Sequence, residues 1–159
     1  MTIRHPFATP PAEGQAIEIA EGILWLRLPL PMALDHVNVY ALNDPDGWTL
    51  IDTGMNSRKT RAIWEALLAG PLRAKPVIRV LVTHYHPDHI GLAGWFMARG
   101  AQLLTTRTSW LMARMLVLDE QALPSQETLA YWRAAGMERT LFEKRAQQRP
   151  FNFADCVHP

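Results

Sequence analysis

The sequence predicts an α/β fold: a sheet that starts as a strand meander, continues by helix–strand alternation, and is covered by helices on one face. Three observations carry this. Between residues 17 and 51, four short apolar runs are separated by turn residues. Between residues 57 and 105, helical spacing alternates with strand-like runs. From about Thr106 the pattern is helical only, punctuated by Pro124 and Gly136.

Residues 1 to about 14, with three prolines, read as an irregular arm. Ile17 to Ile19 and Ile23 to Leu28 follow as strands, divided at Glu21-Gly22 and stopped by Pro29 and Pro31. Val37 to Leu42 and Trp48 to Ile51 flank the turn-rich segment from Asn43 to Gly47, which predicts a hairpin. Ser57 caps a helix reaching about Ala69, in which Ile63, Trp64, Leu67 and Leu68 share one face. Gly70-Pro71 ends it. The branched run Val77 to Val82 predicts a buried strand. A helix from Ile90 to Arg99 ends at Gly100, and Ala101 to Thr105 forms the next strand. Helices are then expected over Ser109 to Asp119, Ser125 to Ala135 and Met137 to Gln147. Their large side chains (Trp110, Met112, Met115, Trp132, Phe142) read as core or cover packing.

At 159 residues and 18.0 kDa, the chain is expected to be one domain, 1–159. A net charge of +1 argues against a nucleic-acid or acidic-membrane partner. The single cysteine, Cys156, excludes an internal disulfide. No run of 18 apolar residues occurs, and the first residues lack the apolar segment of a signal peptide, so a soluble cytoplasmic protein is expected.

One run carries chemistry: Thr83-His84-Tyr85-His86-Pro87-Asp88-His89, directly after the 77–82 strand. On an extended backbone His84 and His86 project to one side, while Tyr85 points away and reads as packing. Pro87 forces a turn that brings Asp88 and His89 round to face them. Neutral imidazole and carboxylate suit a divalent ion such as zinc. With 6 His and 7 Asp in the chain, a chance His-x-His-x-Asp-His match is expected roughly 4 times in 10,000 such sequences. The alternative is a polar loop whose histidines only hydrogen-bond.

This run resembles the signature of the metallo-β-lactamase superfamily, His-x-His-x-Asp-His at a strand end. Leu50-Ile51-Asp52-Thr53-Gly54 upstream, and more weakly Asn38-Val39-Tyr40, resemble further family elements. The resemblance implies an αββα sandwich, of which about residues 17 to 105 match the first half. It implies that His84 and His86 ligate one zinc ion, and Asp88 and His89 a second. Asp88 is further implied to orient the attacking water and accept its proton. Asp52 is a candidate to hold an imidazole by its other nitrogen; it could equally cap the turn before Gly54. The chemistry implied is attack of metal-bound hydroxide on a carbonyl, and the loop is most similar to that of glyoxalase II-type thioester hydrolases. A small thioester, ester or lactone substrate is expected. Similar enzymes carry a helical insertion over the active-site mouth, here residues 107–148.

The family's second half supplies further ligands, and no matching elements follow His89. His158 lacks a glycine-rich context and is a poor substitute. The chain is therefore expected to be the first half of such an enzyme, inactive alone. The contrasting reading is a non-catalytic half-domain that binds metal weakly and assembles with itself or a partner. A half sandwich leaves one apolar sheet face without intramolecular cover. Several hundred Å² of wet apolar sheet would cost on the order of 10 kcal/mol, so a homodimer, the missing C-terminal half or the helical segment should cover it.

Overall fold

Six strands, β1 Ile17–Ala20, β2 Ile23–Pro29, β3 His36–Asp44, β4 Gly47–Ile51, β5 Val77–Leu81 and β6 Gln102–Leu104, lie side by side in chain order. The computed structural model describes residues 6–158, so the start of the expected N-terminal arm lies outside the described residues. The first four strands form an antiparallel meander; β5 and β6 are added in parallel. Parallel neighbours require crossovers. Helix α1 (Arg58–Ala69) supplies the first, and α2 (Pro87–Ile90) with α3 (Ala93–Met97) the second. Helices α4 (Arg107–Leu118), α5 (Gln126–Ala134) and α6 (Arg139–Ala146) follow, then a 3-10 turn at Phe153–Asp155.

The hairpin expected over 43–47 is tighter than its turn-rich composition suggested. Asn43 pairs with Trp48 and Asp44 with Gly47, leaving only Pro45 and Asp46 as the turn. Asp44 stays in the ladder because its carboxylate accepts hydrogen bonds from Thr49 Oγ1 and, at 2.8 Å, from Arg79 Nη1.

Helix α1 begins where Ser57 Oγ accepts the amide of Thr60, as its capping role predicts. Its buried face, Ile63, Trp64 and Leu67, packs under the sheet. Trp64 is fully buried, meets Phe96 edge-on at 4.9 Å, and donates from Nε1 to Thr53 O.

The single helix expected from Ile90 to Arg99 is instead two short ones. Pro87 opens α2 at a first-turn position, where its missing N–H costs nothing. The break falls at Leu92, whose amide donates to Thr53 Oγ1 (3.0 Å) rather than into the helix.

The last three helices are present, capped by Thr106, Ser125 and Glu138. Of the expected core or cover packing of their large side chains, the core part is corrected. Trp110 and Met115 are 47% and 52% exposed, and neither α5 nor α6 has a buried residue. Trp132 and Phe142 pack mainly on each other, ring to ring at 6.5 Å. The helical pattern marks where α4–α6 form, but their apolar residues exceed what three short helices can bury.

The strand register sorts the sheet into two unequal faces. Leu24, Ala41, Leu50, Val80 and Leu103 lie in one cross-strand row facing the helices; Ala41, Leu50 and Val80 are fully buried. One residue on, Trp25, Tyr40, Ile51, Leu81 and Leu104 form a second row on the opposite face, where Leu81 and Leu104 are each 37% exposed. The helical segment does not seal that face. Of the described residues, Phe7 stands against its edge, at 6.0 Å from Trp25.

Candidate metal centre

β4 and β5 run parallel, so the segments leaving their C-terminal ends emerge side by side. Asp52-Thr53-Gly54 leaves one and Thr83 to His89 the other. Asp52 adopts a left-handed backbone conformation, φ 63°, which an Asp tolerates better than most side chains. Its side chain is thereby turned inward and is buried.

All three residues of Asp52-Thr53-Gly54 hold the second loop. The Asp52 carboxylate accepts the amide and hydroxyl of Thr83, and contacts His89 Nδ1 at 2.7 Å. Thr53 donates its amide and its hydroxyl to His89 O, each at 2.8 Å. Gly54 sits where α2 approaches most closely. A Cβ on the facing Gly91 would run into the carbonyl oxygens of Pro87 and Gly54 and the amide of Asn56. Of the two roles expected for Asp52, its carboxylate bonds run to His89 and Thr83 across the loop rather than to the amides of the turn before Gly54.

The three imidazoles gather. The His84 ring lies 4.6 Å from that of His86 and 4.0 Å from that of His89, and His89 Nε2 is 3.2 Å from Asp88 Oδ2. They do so by a route other than strand alternation: β5 ends at Leu81, and residues 83–86 are bends. His86 is exposed, and His84, Asp88 and His89 are half-buried.

Charge follows the geometry. Burial alone would lower the pKa of His89, but the Asp52 hydrogen bond and the charges of Asp52 and Asp88 outweigh it and raise the pKa. Burial would raise that of Asp52; hydrogen bonds from His89 and Thr83 bring it below the usual carboxylate value. His84 is lowered, by burial first and then by the neighbouring imidazoles. His84 thus favours the neutral form that a metal ligand needs.

The residue types suit a divalent ion: three imidazole rings and a carboxylate lie close together, and one ring is held through its other nitrogen, as ligand histidines usually are. The set is incomplete. Among the described residues, no three His, Cys, Asp or Glu side chains form a group that could hold an ion by themselves. Nor do the four residues line the apolar cavity of about 340 Å³ beside them, which is bounded by α2, α3, α4 and residues 157–158.

One neighbour of this loop carries almost no signal in the sequence. Residues 151–158 pack against it: Phe153 stacks on Tyr85 at 6.3 Å, Cys156 O accepts the amide of Asn56, and the amide of His158 donates to Gly91 O at 2.7 Å. Tyr85 is half-buried packing, as expected. Burial, with the nearby charges of Asp155 and Asp88, pushes the Cys156 thiol up to about 11. His158 reaches the motif helix through its backbone, closer than its terminal position suggested. Only the repeated phenylalanines at 151 and 153 hint at this contact.

Comparison with known proteins agrees with this geometry. Residues 32–113, just over half of the chain, match the sequence model of the metallo-beta-lactamase superfamily. A probable metallo-hydrolase of Bacillus subtilis, YqjP, is 38% identical over 77 residues, 48% of this chain and 24% of that protein. A beta-lactamase domain protein from Burkholderia ambifaria superimposes with a TM-score of 0.71 at 33% identity, over 91% of this chain and 44% of its own. A metallo-beta-lactamase family protein from Thermus thermophilus gives 0.57 at 28% identity, covering 89% and 44%. At 23% identity, a metallo-beta-lactamase of Pseudomonas aeruginosa, solved in a mono-zinc form, shares the fold with a TM-score of 0.54 over 67% of this chain and 46% of its own. The chain spans less than half the length of each of these relatives.

Proposed function

Since the chain belongs to the metallo-β-lactamase superfamily, we propose that it is the metal-binding half of a zinc-dependent hydrolase that cleaves a thioester or lactone. The observation that carries this reading is the Asp52–His89 hydrogen bond beside the clustered rings of His84 and His86. A purely structural histidine loop has no need of a buried carboxylate holding one ring by its far nitrogen.

In this reading His84 and His86 bind one ion, and Asp88 and His89 a second; further ligands come from outside these residues. Bound zinc supplies Lewis acidity and lowers the pKa of water toward about 7. The chain's own residues supply position and proton transfer. Asp52 fixes the tautomer and orientation of His89, with Nδ1 engaged and Nε2 turned to the cluster. Asp88, half-buried beside His89, orients the water and takes its proton. Thr53 holds the backbone of His89, so the loop keeps its shape without the ion.

A small acyl substrate suits the net charge of +1 better than nucleic acid does. No helix among the described residues is long and apolar enough to cross a membrane. A cytoplasmic location is part of this proposal, and a lone cysteine suits a reducing compartment.

The test is thioester hydrolysis by a longer form that carries the second half. It should be active and chelator-sensitive, and His86→Ala or Asp88→Ala should abolish turnover with little loss of folding. An active His86→Ala variant would overturn the assignment. A second reading is favoured by the incomplete ligand set and the open sheet face: a half-domain, 1–159, that assembles with a second copy and binds metal weakly. Thioesterase activity that is absent from every length tested would select it.

A further inference from the structure

The aromatic side chains beside the histidine loop form a continuous path that ends on a candidate metal ligand. His86 meets Tyr85 at 4.8 Å between ring centroids, Tyr85 stacks on Phe153 at 6.3 Å, and Phe153 meets Phe151 at 5.8 Å. The far end is open: Phe151 is 66% exposed. We propose that Tyr85, Phe153 and Phe151 form a binding rail for the apolar acyl group of the substrate, with aryl-bearing acyl groups preferred. This rests on the hydrolase reading, because the rail starts at the ring of His86, a candidate metal ligand of that site.

Two features separate the rail from scattered surface aromatics. It is fixed in place from both sides. Asn152, buried between the two phenylalanines, accepts the amide of Gln121 at 2.7 Å and donates Nδ2 to Gln121 O at 2.9 Å. Arg149 pairs with Glu120 and Asp155, while Cys156 O and the His158 amide tie the other end to residues 56 and 91. A preorganised platform loses little entropy when a ligand settles on it. The three rings also form one connected apolar surface, with Phe153 stacked on Tyr85 and meeting Phe151 at 73°, and aryl groups gain beyond simple burial on such a surface. Phe151, exposed on a segment whose neighbours Arg149 and Asn152 are anchored by polar contacts, is a contact waiting for an apolar group.

The probe is 4-phenylbutyrate, with acetate for comparison, titrated into the chain and followed by the ring resonances of Phe151 and Phe153. Phenylbutyrate should shift both and acetate neither. Phe151→Ala should weaken phenylbutyrate about fivefold, and Phe151→Tyr should restore it, which a merely structural role would not do. Tyr131→Ala, which removes an equally exposed ring on α5, should bind as the parent does. Shifts confined to other residues, or equal affinity for Phe151→Ala, overturn the rail. Phenylbutyryl against acetyl thioesters on a longer, active form separates the two claims. Ring shifts without any hydrolysis leave the rail standing and remove the hydrolase reading. Hydrolysis whose phenylbutyryl preference survives Phe151→Ala removes the rail alone.

Discussion

The two faces of the sheet differ by one residue in sequence and by a whole layer in structure. Leu50 is fully buried beneath the helices, while Ile51 joins a row with Leu81 and Leu104 that remains more than a third exposed at its edge. Both rows are apolar, so composition does not separate them. What separates them is cover: α1 and the α2–α3 pair lie on one side, and nothing comparable lies on the other among the described residues.

That contrast predicts an ordering of effects. Leu50→Ala should cost about 2–5 kcal/mol in denaturant unfolding, because it leaves a cavity in a close-packed core. Asp52→Ala should cost about 1–3 kcal/mol, since it removes the partner of the Thr83 amide and of the half-buried His89 ring. Asp52→Asn should be milder, as Asn also tolerates positive φ. Ile51→Ala should cost clearly less than Leu50→Ala in a monomer, because Ile51 is only partly buried. If Ile51→Ala matches Leu50→Ala, the second face is covered in solution. Light scattering gives a direct view of that cover: the chain should self-associate, and the pair Leu81→Lys with Leu104→Lys should shift it to monomer. A well-behaved monomer without those changes would show that this face needs no partner.

A smaller change is expected at Cys156. With its thiol pushed up to about 11, only about one molecule in a thousand carries thiolate at pH 8. Alkylation of the native chain should be at least tenfold slower than in urea. Equal rates would show that residues 152–158 detach from the histidine loop.

How much of this was legible in the sequence depends on which physical signal each part carries. Strands β2–β5 and helix α1 were legible because period and punctuation agree there, as at Ser57 and Gly70-Pro71. The four clustered residues were legible from spacing alone. The manner of their clustering was not, because Leu81 ends the strand earlier than the apolar run suggests. The break at Leu92 was hidden too, since it depends on Thr53, 39 residues away in the chain. Helix α4 shows the limit of pattern reading: Trp110 and Met115 read as core or cover packing and are about half exposed, because burial needs a facing element that sequence period does not supply. The contact of residues 151–158 with the loop is tertiary, and only the phenylalanines at 151 and 153 hint at it.

The histidine loop is, in this reading, half of a metal centre, shaped before the ion arrives but unable to hold it tightly alone. Zinc content after exhaustive dialysis, measured on this chain and on a form containing the second half, decides whether that is so. Well under one zinc per chain is expected for the 159 residues and about two for the longer form, with His84→Ala and His89→Ala each lowering the latter. Two tightly held zinc ions in the 159-residue chain, or none in the longer form, would contradict it.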